Sequence, residues 1–90
     1  MASDLGMRRR RALWRAAHRG SKEMDYLLGR FAEQTIDSMN ADDIAVLERL
    51  IETPDPRLEL SLFEGYSLGE RDLDALMDRV RRFHGLPWTR

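Results

Sequence analysis

Two histidines and sixteen carboxylates, with no cysteine, are the groups through which this 90-residue chain could do acid–base or metal chemistry. His18 and His84 stand far apart, and neither has a His or Asp partner at a spacing that would hold a metal. His84 falls near the expected end of a helix, where a cation is mildly favoured, and that accounts for it without catalysis. The absence of cysteine excludes disulfides, thiolate nucleophiles and Cys-ligated metals, and it fits a reducing compartment. No glycine-rich loop follows a strand, so the usual phosphate cradle is missing. Asp72, Asp74 and Asp78 recur at the spacing of a helix exterior and read as a solvated face. Met24, Met39 and Met77 read as adaptable core filler and not as a cofactor box. Little here supports an enzyme.

One run stands out, Arg19-Gly20-Ser21-Lys22-Glu23-Met24-Asp25. It separates an arginine-rich segment from an amphipathic one, and its crowd of polar and charged groups is odd material for a core. It reads as an exposed corner between two helices. A purely structural account is available. Glycine after a helical run is a common stop, because it enters the left-handed region without a Cβ clash. Gly20 or Ser21 would then cap the next helix, with Glu23 near its third position, where a carboxylate meets free backbone N–H groups and the positive end of the helix dipole.

Periodicity supplies the elements that position this corner. Met24, Leu27, Leu28, Phe31, Ala32 and Ile36 follow the i, i+3, i+4, i+7 rule and predict a helix over 21–38. Upstream, residues 7–18 read as a first helix with Leu13, Trp14 and Ala17 inward and the arginines of 8–11 in water. Residues 1–6 are expected to be disordered. Gly29, inside the second helix, costs about 1 kcal/mol relative to alanine; it is either tolerated or marks close helix packing. Asn40 is the expected cap of a third helix, with Asp42 and Asp43 in its first turn and Ile44, Leu47, Leu50 and Ile51 as its stripe. Thr53-Pro54 stops it, and Asp55-Pro56 starts the next.

Leu58, Leu60 and Leu62 alternate with polar residues as a strand would. Leu58 and Leu62 are also one helical turn apart, and no second strand-like run exists to pair with. A short helix ending before Gly65 is therefore expected. Ser67-Leu68-Gly69-Glu70 reads as a capping box for a fifth helix with Leu73, Leu76, Met77, Val80 and Phe83 inside. Gly85 and Pro87 end it, and 86–90, with Trp88, form a flexible tail. None of these helices would hold alone in water. The expectation is a single domain over 7–85, a compact all-α bundle of about five short helices.

Net charge is −1 but unevenly spread: residues 1–19 balance to +5 and the remainder to −6. Such a head could steer an acidic partner or meet nucleic acid; a solvated helix face is the plainer account. Hydrophobic content of 42% with 34% charged residues suits helices that each bury one stripe. No apolar run approaches the roughly 18 residues of a membrane span. The N-terminus has no apolar signal core, and its basic stretch, which includes Asp4, is too short for a complete transit peptide.

Residues 14–25, with Arg19, Gly20, Lys22 and Glu23 in register, resemble the Arg-Gly-x-x-Glu signature of the succinate dehydrogenase flavinylation (FAD assembly) factors, and the similarity extends over 13–83. The resemblance implies a small helical bundle and a non-enzymatic assembly factor. Its partner would be the flavoprotein subunit of succinate dehydrogenase, or of a related fumarate reductase, whose covalent attachment of FAD to a histidine it promotes. The implied docking residues are Arg19, Gly20 and Glu23, flanked by Lys22 and Asp25, with Arg15 just upstream. Gly20 would allow close backbone approach, and Arg19 and Glu23 would offer charge-assisted hydrogen bonds. No cofactor is expected to stay bound, since the FAD belongs to the client. A cytoplasmic bacterial monomer that binds no nucleic acid is expected. One departure is clear: family members often carry Trp in the fourth helix, where this chain has Ser61-Leu62-Phe63, so Phe63 would supply the aromatic packing from a shifted position. The alternative is a small nucleic-acid-binding or antitoxin-like regulatory protein using the N-terminal arginines.

Overall fold

Capping chemistry and proline placement set the helix ends. The computed structural model describes residues 2–86 as five helices: α1 (Ala2–Ala17), α2 (Lys22–Thr35), α3 (Ala41–Ile51), α4 (Asp55–Glu64) and α5 (Arg71–Phe83). A 3-10 turn, Ile36–Ser38, finishes α2. There is no strand among the described residues, so the fold is all-α as expected. Ser21 caps α2, its hydroxyl accepting from the Met24 N–H at 3.2 Å. Asn40 caps α3 in a reciprocal box: its side chain accepts from Asp43 N–H at 2.9 Å, and Asp43 accepts from Asn40 N–H at 3.2 Å. The alternating leucines are helical: Leu58 and Leu62 are buried on α4, which ends at Gly65, while Leu60 faces water.

Phe31, Leu28, Leu47, Leu50, Leu58 and Val80 lie at the centre of one continuous core. Met24, Met39 and Met77 are buried in it, as filler would be. α1 packs on α2 and α3, and α5 closes the bundle against α2, α3 and α4. A radius of gyration of 12.5 Å is about what a compact chain of this length gives. Gly29 does mark close packing. A Cβ built there would lie 3.1 Å from both the Cα and the Cβ of Ala17, so any side chain would push α1 off α2.

Several expectations about helix ends and faces need correction. α1 begins at Ala2, because residues 2–6 are its first turns and Leu5 packs against the core. Its buried face is Ala12 and Ala16, not Trp14, which is 61% exposed. Two small residues let α1 approach its neighbours more closely than a tryptophan would. Nor are all the arginines of 8–11 in water. Arg8 pairs with Glu48 at 2.8 Å and Arg9 donates to the Met39 carbonyl at 2.7 Å, both tying down α1. α4 starts with Asp55 inside the helix and Pro54 as the cap.

The expected capping box before α5 does not form. Gly69 adopts φ +90°, and the helix starts only at Arg71. Ser67 instead donates to Asp74 at 2.5 Å, and Asp74 also accepts from the Leu68 N–H at 2.7 Å. Phe83 is 42% exposed, its ring edge-on to Phe31 at 5.7 Å. Leu86 packs against the core, while 87–90, with Trp88 and the rest of the expected tail, lie outside the described residues.

Candidate functional site

The corner joins α1 to α2 in four residues, His18 to Ser21, and its shape rests on two side chains. Asp25, one turn into α2, reaches back so that a single carboxylate oxygen accepts from the Arg19 N–H and from the Gly20 N–H, the latter at 3.2 Å. Backbone donors that follow a helix end are thereby satisfied, and a negative group sits in the first turn of α2. Gly20 takes φ +110° in open space, with nothing within 4 Å of a hypothetical Cβ. The reason for glycine is therefore its backbone conformation and not crowding within the chain.

Arg19 is placed differently from a residue held out to a partner. Its side chain is only 9% exposed. The guanidinium donates to the carbonyl of Ile51, to that of Thr53 at 2.5 Å, and to Asp55 at 3.0 Å. It is wedged between the last turn of α3, whose carbonyls lack helical partners, and the first turn of α4, where Asp55 stands. Each end favours the charge placed there. Arg19 thus fastens the corner to the α3–α4 connection. Its partners lie more than thirty residues on in the chain, and nothing local to the corner announces them; an aspartate before proline reads as a cap and hides its other use.

Gly20, Lys22 and Glu23 are exposed. The Lys22 and Glu23 side chains make no hydrogen bond or ion pair among the described residues, and the cap of α2 comes from Ser21 without help from Glu23. Asp25 and Arg15 are half-buried. Arg15 has no ion pair among the described residues, though its charge helps to lower the Glu48 carboxyl. The hydrogen bond from Arg8 is the main cause of that lowering, and Glu48 in turn holds the Arg8 guanidinium above its usual range. The structure therefore brings Gly20, Lys22 and Glu23 together at the surface, with Arg19 and Asp25 as the frame beneath.

The remaining chemical candidates have structural partners. His18 donates from Nδ1 to the Trp14 carbonyl, and His84 from Nε2 to the Leu27 carbonyl, both at 2.7 Å. Asp72 and Asp78 are not simply solvated: Asp72 pairs with Arg49 at 2.8 Å, which lowers its carboxyl, and Asp78 pairs with Arg81 at 2.5 Å. Arg81 is itself buried and donates to the Ser61 and Leu62 carbonyls near the end of α4. Among the described residues no group of His, Asp and Glu could hold a metal ion, and no helix is long and apolar enough to cross a membrane.

A family model described as the flavinator of succinate dehydrogenase matches residues 10–84. The FAD assembly factor SdhE of Acetobacter pasteurianus is 39% identical over 77 residues, covering 86% of this chain and 71% of that protein. No solved structure matches.

Proposed function

Since the chain belongs to the family of flavinators of succinate dehydrogenase, its work is in the FAD assembly of that enzyme, and we propose that it acts there as a docking factor without chemistry of its own. The client is the flavoprotein subunit of succinate dehydrogenase, or of a related fumarate reductase, and the contact surface is the α1–α2 corner. One observation carries this reading of the surface: Gly20 stands exposed, and beside it the exposed Lys22 and Glu23 side chains have no partner among the described residues, at a turn that is otherwise pinned from below. The pinned backbone of the turn loses little conformational freedom on binding, so the ordering cost is confined to the two side chains, and a carboxylate accepting from a partner N–H or guanidinium makes a strong, directional contact. Gly20 presents bare backbone to which a partner chain can come close.

Promotion of flavin attachment then follows from differential binding. A factor that prefers the client conformation in which the flavin and its target histidine are aligned raises the population of that state; equal affinity for both forms would do nothing. A preference of about 2.7 kcal/mol corresponds to a hundredfold shift, within reach of one or two well-buried contacts. The FAD, the attacking histidine and the bond formed all belong to the client, and the factor leaves as a cytoplasmic monomer with no cofactor of its own.

Deleting the gene and measuring covalent flavin on the dehydrogenase subunit by in-gel fluorescence tests this reading. Loss of the flavin signal, restored by the wild-type gene, is expected. Undiminished covalent flavin in the deletion strain would refute it.

A further inference from the structure

A groove of about 420 Å³ runs between α1 and α2, starting at the corner, where His18 and Asp25 line it, and ending at Arg10 and Glu33. Leu13, Ala17 and Gly29 line the apolar notch between those ends, with Ala17 packed directly on Gly29. Trp14 and Tyr26 stand on opposite sides, 61% and 58% exposed. Both rings are held in place. Trp14 stacks on His18 with centroids 4.1 Å apart and planes 11° off parallel, and Tyr26 lies 5.8 Å from the Arg30 guanidinium and 5.8 Å from the His84 ring. Pre-ordered tryptophan and tyrosine beside an apolar notch are the residues on which binding energy concentrates.

We propose that this groove continues the docking surface of the corner and takes an acidic segment of the client flavoprotein subunit, one of whose aromatic or branched side chains enters between Trp14 and Tyr26. The inference rests on the docking reading above. Charge selects the occupant. The two carboxylates that line the groove are already committed, Asp25 to backbone N–H groups of the corner and Glu33 to Arg30 at 3.4 Å. Arg10, by contrast, has no carboxylate partner among the described residues, and neither have Arg11 and Arg15 on the same helix, whereas Arg8 and Arg19 are paired with Glu48 and Asp55. The rim is therefore short of negative charge. A second copy seated here would bring two cationic α1 segments together, which like-charge repulsion opposes. Nucleic acid would want a row of free cations, yet Arg8 and Arg9 are turned to Glu48 and the Met39 carbonyl. A small molecule would need a site that encloses most of its surface, and this trough is open.

Calorimetry with the full-length protein and the purified flavoprotein subunit from the same organism provides the test. Trp14→Ala and Tyr26→Ala should each weaken binding at least tenfold while circular dichroism and melting stay as in wild type, since both rings are exposed. Leu60→Ala, an exposed leucine on α4, should bind as wild type does. Arg10→Glu should weaken binding more at low than at high salt. If wild type and Glu23→Ala differ in client binding while both aromatic variants bind normally, the groove assignment falls and the corner survives. A wild-type protein that does not bind the client at all removes the docking reading, and this inference with it. An aromatic substitution that turns a dimer into a monomer, or abolishes binding to a nucleic-acid oligomer, with client affinity unchanged, would also overturn the assignment.

Discussion

Arg19 and Glu23 share a motif but take opposite parts in the structure. Arg19 points inward, and its removal leaves the Ile51 and Thr53 carbonyls and the Asp55 carboxylate without their donor. Arg19→Gln should therefore lower stability by about 1–3 kcal/mol, read in a urea titration, and Asp55→Asn should lower it by less, because only one of the three contacts is weakened. Equal stability of Arg19→Gln and wild type would mean that the guanidinium does not hold the α3–α4 connection. Gly20 makes a separate demand: with φ +110° and open space around it, Gly20→Ala should lower stability by about 1–3 kcal/mol through backbone strain alone. The existence of the corner was legible in the sequence, because a glycine flanked by charges between two periodic stretches has few other readings. The inward course of Arg19 was not, since its partners come from a distant turn.

At the scale of elements, α4, whose leucines alternate as a strand's would, was read as a helix because no second strand-like run exists to pair with it, whereas periodicity located α2 and α3 because large apolar residues dominate their stripes. α1 was misjudged for the opposite reason. Its buried residues are Ala12 and Ala16, which weigh little in any count of hydrophobicity, while Trp14, which weighs most, faces out. The start of α5 was misplaced because Ser67 and Glu70 match a capping pattern that Gly69 interrupts. Close packing of α1 on α2 predicts that Gly29→Ala destabilises although alanine is the better helix former. The new methyl meets Ala17 at 3.1 Å, and overpacking of this kind costs about 1–3 kcal/mol; a stabilised variant in thermal melts would contradict the close approach. The Arg8–Glu48 pair, which docks α1 on α3, makes stability sensitive to acid. Glu48 is held below its usual range, so its contribution is present above the unfolded value and is lost as pH falls through the folded one. Glu48→Gln should accordingly lose less stability than wild type when melts are taken from neutral pH down past 4.5, and parallel curves for the two proteins would exclude this source of acid sensitivity.

Considered as a whole molecule, the chain is a small bundle whose fold class followed from its apolar stripes and whose candidate surface is the α1–α2 corner, where Lys22 and Glu23 have no partner among the described residues. Two arginines fasten helix ends to their neighbours, Arg19 of the corner at the end of α3 and Arg81 of α5 near the end of α4. That rigidity makes the corner a fixed template, and the central claim is that a client reads it through Glu23. The direct measurement is covalent flavin formed on the purified flavoprotein subunit with FAD and either wild-type factor or Glu23→Ala, at a temperature where both are folded. Because Ser21 supplies the cap and Glu23 has no partner among the described residues, the variant should melt within a few degrees of wild type. It should also leave the client with little covalent flavin. Full flavinylation by a folded Glu23→Ala protein would show that the corner is only a turn between two helices and would contradict the account at its centre.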